Sequence, residues 1–394
     1  MLGERIRQAR LLAGLTQDAL ADALTDAGHP ATKAVISKYE KNKSTPSAQF
    51  LLLAASILDV PSSYFTHQPT LAVNWLAFRR HSTLPVRDQE AVKAYAADVA
   101  ELQIELQSLL HPGSGADLPE IMSVTSMEDA EQAAMRLRER WELDENPIDS
   151  LVQTAEDHQV IVVGWRKHGG EFDGLSGWCN QHPVTVVSTA VDTDRRRFTL
   201  AHELGHLVMD TSAVTEKVAE KLAHRFAAAL LVPTERVVHE LGVRRTRLDW
   251  EELGILKRKY GVSMAAWIYR AKDLEIITEH YAANLYREMG ERGWRKHEPV
   301  DYIADEEPLK LEQMAHRAVA EGLISPDQIR RVYPDWFERE LAASSTGRFT
   351  IYDLLELPDD EQQKVMEAAF AAAANEEFEL FEANEFVEEN EGGN

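Results

Sequence analysis

Arg197-Phe198-Thr199-Leu200-Ala201-His202-Glu203-Leu204-Gly205-His206 is the stretch on which the reading of this chain turns. Histidines four residues apart project from one face of a helix, where both imidazoles can bind a single metal ion. Glu203 directly follows the first histidine, placed to hold a metal-bound water and take its proton. Imidazole donors in this pattern favour Zn2+, whose charge lowers the pKa of water toward neutrality and so yields a nucleophile for a peptide carbonyl. The same pattern also occurs in helices that hold no metal. Here Leu200, Leu204, Leu207 and Val208 draw both histidines inward, and two buried imidazoles without a partner would be costly.

A catalytic zinc site takes a third protein ligand and keeps its fourth position open. Asp210, Glu216, Glu220, His224 and Glu235 are the downstream candidates. Glu220 opens Glu220-Lys221-Leu222-Ala223-His224-Arg225-Phe226-Ala227, whose small residues let a second helix pack closely on the first. Taken alone, a glutamate there reads as part of a solvated helix face.

Residues 197–206, residues 220–227 and Leu230-Leu231-Val232-Pro233 together resemble the ImmA/IrrE family of metallopeptidases. The resemblance implies an α+β zincin-like domain, zinc as the cofactor and Glu220 as the third ligand beside His202 and His206. Where relatives carry Asn or Asp, this chain has His224, which either supports a ligand from behind or itself reaches the metal. The likeness continues through residues 250–273 and 293–299, as in long proteins where a repressor-like domain precedes this one. Residues 248–271 also have a helix–turn–helix shape, but Trp250, Leu253, Leu256, Trp267 and Ile268 are core-like, so they read as a packing bundle.

At the N-terminus, Leu2, Ile6, Ala9 and Leu12 recur at helical spacing, and Gly14 ends that helix. Thr16 is an N-cap candidate for a second helix, a third begins near Thr32, and Ser47 opens a fourth. Helix, turn and helix can put one helix into the major groove while another braces it on the backbone. Gln17 is placed to donate to a phosphate. Thr32, Lys33, Ala34, Ser37 and Lys38 lie on the outward face of the third helix, and Lys41, Asn42 and Lys43 suit phosphate contact. Leu15-Thr16-Gln17, Leu20-Ala21, Ile36-Ser37-Lys38-Tyr39-Glu40 and Pro46 resemble the Cro/repressor-type (XRE) helix–turn–helix family, with a longer connection at residues 25–30. That resemblance implies a homodimer on a two-fold operator DNA.

Composition sets the frame. The chain has 394 residues and a formal charge of −24, enough for two or three domains. Residues 1–65 carry seven bases and six acids, near +1, so the remainder carries about −25; the last twenty residues hold eight glutamates and no base. Broad adhesion to nucleic acid is excluded, while the N-terminal segment can approach DNA. No apolar run is long enough for a membrane, no secretory signal opens the chain, and Cys179, the sole cysteine, cannot form an internal disulfide. A cytoplasmic protein is expected.

The expected fold is mainly α. A helix–turn–helix domain spans 1–67 and a helical linker, with Trp75 and Phe78, spans 68–120. The zinc peptidase domain with its packed bundle covers 121–275, and a helical region with an acidic tail covers 276–394. Within the peptidase domain, residues 160–163 read as a buried strand and Gln181-His182-Pro183 as a hairpin turn. Asp173-Gly174-Leu175-Ser176-Gly177 reads as an edge strand able to receive an extended peptide. Arg195, Arg196 and Arg197 read first as a solvated N-terminal turn, with orientation of a substrate as the alternative. Because they oppose the helix dipole, a carboxylate partner also fits there, and Cys179 reads as a core thiol.

The expected function is a transcription regulator with a zinc-dependent endopeptidase, Glu203 as its base, cleaving a repressor-type or partner protein or its own linker. DNA or a stress signal could gate the site. The alternative is a non-proteolytic repressor or antitoxin, bound to a toxin, whose metal is structural or sensory. An intact Glu203 favours the first, because a structural site needs no base beside its metal.

Overall fold

Hydroxyl caps set the N-terminal helices. After α1 (Leu2–Leu12), Thr16, Thr32 and Ser47 accept from the amides of Ala19, Val35 and Phe50, opening α2 (Gln17–Asp26), α3 (Lys33–Glu40) and α4 (Ala48–Ile57). Ile6, Leu20, Leu24, Ile36, Phe50 and Ala54 are wholly buried between these helices. A short α5 (Ser63–Thr66) closes the bundle.

The chain is described here from a computed structural model, for residues 2–66, 71–78, 84–113, 115–167, 172–295, 297–302, 304, 306–330 and 332. It divides into Met1–Val332 and Tyr333–Asn394, and the second unit, with the expected acidic tail, lies outside the described residues.

Trp75 and Phe78, three residues apart, imitate helical spacing in the sequence, yet they belong to a strand, β1 (Val73–Phe78). Half-buried Leu71, Val73 and Trp75 alternate with exposed Ala72, Asn74 and Leu76, the period of two that a strand imposes. Within the expected helical linker the helix is α6 (Val86–Leu110), of 25 residues. It meets the N-terminal bundle through Asp98, whose carboxylate takes a 2.6 Å bond from Arg5 and a 3.1 Å bond from the Tyr64 hydroxyl.

Then follow β2 (Met122–Ser123), α7 (Met127–Arg140), α8 (Leu151–Asp157), β3 (Ile161–Trp165), β4 (Gly174–Cys179), β5 (His182–Ser188), α9 (Thr193–Val208), β6 (Met209–Asp210) and α10 (Glu216–Leu231). The helices α11 (Thr234–Leu241), α12 (Trp250–Tyr260), α13 (Met264–Asp273), α14 (Glu279–Glu291), α15 (Lys310–Ala320) and α16 (Pro326–Arg330) complete the described part. The architecture is mainly helical, with an all-α N-terminal region followed by a mixed α/β region.

One sheet has the order β1-β4-β5-β3, with β3 parallel to β5 and the other pairs antiparallel; β2 and β6 pair in parallel beside it. Val184, Val186 and Val187 of the inner strand β5 are buried, and so is Ile161 of β3 at the end of the sheet, as the apolar run at residues 160–163 predicts. The hairpin turn is Asn180-Gln181, one residue ahead of the expected one. Asn180 adopts φ +55°, so His182 already pairs with Cys179. β4 is not an edge strand, because β1 pairs along it. α9 packs on β4, β5 and α10, and Leu253, Leu256, Trp267 and Ile268 of α12 and α13 join the same core.

Candidate metal centre

α9 starts with three arginines where the helix dipole is positive, and each meets a carboxylate. Arg195 binds Asp173 at 2.5 Å, Arg196 binds Glu307 at 2.6 Å, and Arg197 binds Glu306. The Arg197–Glu306 pair is wholly buried. Glu306 also accepts the amides of Leu151 at 3.0 Å and Val152 at 2.8 Å, so it caps α8 while anchoring α9. Directly ahead of the arginines, Asp194 in the first turn of α9 lies 2.9 Å from Lys257, which also binds Glu298 at 2.9 Å. Glu298 in turn receives the amides of Met264 and Ala265 at the start of α13. The register of α9 is therefore held from three sides.

α10 runs antiparallel to α9. His206 meets Glu220, while Phe198 and His202 meet His224, their ring centroids 5.9 and 4.6 Å from it. His202 Nε2 and His206 Nε2 stand 3.0 Å apart, and the Glu220 carboxylate approaches them at 3.4 and 3.6 Å. Donors bound at ordinary zinc distances and tetrahedral angles are separated by about 3.3 Å. The residues present therefore fit the ion that the motif calls for. The exposed His224 gathers with two of these residues, one ligand atom each from His202, Glu220 and His224 lying within 4.8 Å of one another.

His202 is fully buried and Glu203 nearly so, at 2% exposed. The Ser176 hydroxyl on β4 donates to Glu203 Oε2 at 2.7 Å. A Cβ at Gly174 would fall 2.8 Å from Glu203 Oε1, so β4 can lie this close only with glycine there. Cys179 is buried; burial pushes its thiol up, and the Glu101 carboxylate adds to this, as expected of a core thiol rather than a nucleophile.

The residues expected at a DNA face divide. Thr32, Lys33, Ala34, Lys38, Lys41 and Lys43 are exposed and Ser37 is half-buried. Thr32 also caps α3, and Lys33 binds Asp18 at 2.7 Å. Gln17 donates to Glu40 at 2.7 Å, where Arg10 binds the same carboxylate. Asn42, at φ +54°, accepts the Gly3 amide at 2.9 Å.

Residues 6–65 match the helix-turn-helix family, and residues 155–272 match the IrrE N-terminal-like domain. The chain joins these two domains. Over 139 residues it is 30% identical to the radiation response metalloprotease IrrE of Deinococcus radiodurans, an alignment covering 32% of this chain and 39% of that relative. The IrrE N-terminal-like domain contains His202, Glu203, His206, Glu220 and His224, and the helix-turn-helix domain contains α2 and α3. A DNA-binding domain and a metallopeptidase-like domain thus share one chain. Among the described residues no helix is long and apolar enough to cross a membrane.

Sequence reasoning missed Glu306 as the anchor of Arg197, more than a hundred positions away, with no spacing to announce it. It also missed Ser176 as the partner of Glu203. The run from Asp173 to Gly177 signalled a strand, but not which helix its hydroxyl would meet.

Proposed function

We propose that this chain is a DNA-binding regulator whose IrrE N-terminal-like domain is a zinc-dependent endopeptidase. The donor spacing of His202, His206 and Glu220, with Glu203 on the same helix turn, carries the reading. The metalloprotease name of the Deinococcus relative supports it. His202, His206 and Glu220 hold the ion, which when bound polarises a peptide carbonyl and acidifies water. Glu203, steadied at Oε2 by Ser176, takes the proton of the attacking water and passes it to the leaving amide nitrogen. Water thus adds its hydroxyl to the carbonyl carbon as the C–N bond breaks. The helix-turn-helix domain brings a homodimer to operator DNA through α3, with Lys38, Lys41 and Lys43 on phosphates. The substrate is a repressor-type or partner protein.

Metal analysis of the purified protein, paired with mass spectrometry of neighbouring-gene products incubated with it, tests the reading. Wild type holds one zinc per chain and cleaves, whereas Glu203→Gln holds zinc and cleaves nothing. Cleavage by Glu203→Gln at the wild-type rate would remove Glu203 from the mechanism. His224 favours a second reading. A fourth protein donor closes the coordination shell, as in structural sites, and such a protein would keep its zinc, bind its promoter and a partner, and hydrolyse nothing.

A further inference from the structure

β4 is the strand that touches Glu203, through Ser176 and Gly174. Any extended chain pairing with the outer edge of β4 is carried past that carboxylate. β1 occupies this edge. Val73 pairs with Cys179, Asn74 with Trp178 and Trp75 with Gly177; the ladder then skips Leu76 and resumes with Ala77 opposite Ser176 and Phe78 opposite Leu175. The break in register therefore falls beside the residue that holds Glu203. β1 also lies against α9. Gly177 permits the approach, since a Cβ there would sit 2.6 Å from the Asn74 carbonyl oxygen and 3.0 Å from Trp75 Cα.

β1 is lightly held for a strand over a catalytic helix. Asn74 is exposed, Leu76 is 50% exposed, and no strand among the described residues pairs with its other edge. It comes from the segment that joins the helix-turn-helix domain to α6, outside the 155–272 match. Main-chain pairing gives such a strand affinity, and the inward residues at every second position give it selectivity.

We infer that β1 is an exchangeable substrate mimic: the β4 edge takes extended segments with β-branched and aromatic residues alternating inward, and Val73–Phe78 of this chain holds that edge until such a segment displaces it. The inference deepens the peptidase reading and rests on it. Because β1 is tethered, it competes at an effective concentration in the millimolar range, so a substrate must pair better or β1 must be drawn away.

The test uses the full-length, zinc-loaded Glu203→Gln protein and a fluorescent peptide with the sequence of residues 71–78, read by anisotropy. Asn74→Pro removes a ladder donor from β1 and is expected to tighten peptide binding tenfold or more. Its partner Trp178 turns its main chain toward β1, while Cys179 and Gly177 turn theirs toward β5. Val73→Cys faces Cys179, the sole native cysteine, across the ladder, and oxidation is expected to lock β1 in place. The locked protein should bind the peptide at least tenfold more weakly than Glu203→Gln, with dithiothreitol restoring binding. Equal affinity in all three proteins, or failure of the cross-link to form, would overturn the inference. Should binding shift as expected while the zinc-loaded protein with Glu203 intact cleaves none of the neighbouring-gene products, the hydrolytic reading falls and strand exchange stands.

Discussion

Lys38 on α3 and His202 on α9 both stand on helix faces that spacing marks out, yet one side chain is exposed and the other wholly buried. Around α9 and α10 the donors are forced together in a core, where an imidazole without a partner is costly, so residue type restricts what each can do. Around α3 the exposed polar groups are open to water, and neighbouring side chains compete for the same residues. Gln17 and Asn42 suit phosphate by position, but both bind within the bundle, to Glu40 and to the Gly3 amide. Burial narrows the reading of a residue; exposure leaves it open.

The largest effect that tests this contrast is at Arg197. Its pair with Glu306 is wholly buried, whereas the pair of Lys33 with Asp18 on α3 and α2 is mostly exposed. Arg197→Met leaves the Glu306 carboxylate buried without its guanidinium, and urea unfolding should show a loss of about 3–5 kcal/mol. A loss below about 1 kcal/mol, the scale of exposed pairs, would erase the distinction between the two regions.

Glu156 gives a buried charge with a pH signature. Burial pushes its carboxyl from 4.5 up to about 7, against the amide hydrogen bonds of Lys310 and Leu309 at the start of α15. Its folded pKa lies above the unfolded one, so the folded state binds the extra proton between these values. The associated stability is complete below about pH 4.5 and is lost as pH rises through about 7, at most roughly 3 kcal/mol. The unfolding free energy of wild type should therefore fall from pH 5 to pH 8 more steeply than that of Glu156→Gln. Parallel curves would place the charged form at the α15 cap throughout.

The smallest effects separate the two kinds of surface residue on the helix-turn-helix domain. Lys38→Ala should leave the unfolding free energy within about 0.5 kcal/mol and lower the salt dependence of operator binding by about one phosphate contact. Gln17→Ala, which deprives Glu40 of a donor, should cost about 1–2 kcal/mol of stability. Unchanged stability in Gln17→Ala would return that residue to the DNA face.

Much of the helical architecture was legible because its signals are local. Thr16 caps the helix it was expected to cap, Thr32 and Ser47 cap the helices expected to start at them, and the apolar spacing of Leu20, Leu24 and Ile36 marks buried positions. The arginines before His202 read as a solvated turn with room for a carboxylate, but Arg196 and Arg197 are buried, each on a glutamate more than a hundred residues away that no local signal announces. β1 was read as helix because two aromatics three apart fit the helical period, which a strand accommodates only across a register break such as the one between Trp75 and Ala77. The pairing that settles the matter comes from β4, a hundred residues on. β4 was read as an edge for the same reason: a strand's own residues do not say who pairs with it.

Local chemistry thus prescribed the caps, the inward histidines and the close packing of two small-residue helices, since these follow from neighbours within a turn or two along the chain. Three-dimensional packing alone assigned Glu306 to Arg197, Ser176 to Glu203 and β1 to β4. These contacts join segments from 27 to more than a hundred residues apart, and no periodicity spans such distances. Each waits on chain collapse, where the cost of burying a charge or leaving a strand edge bare selects the partner.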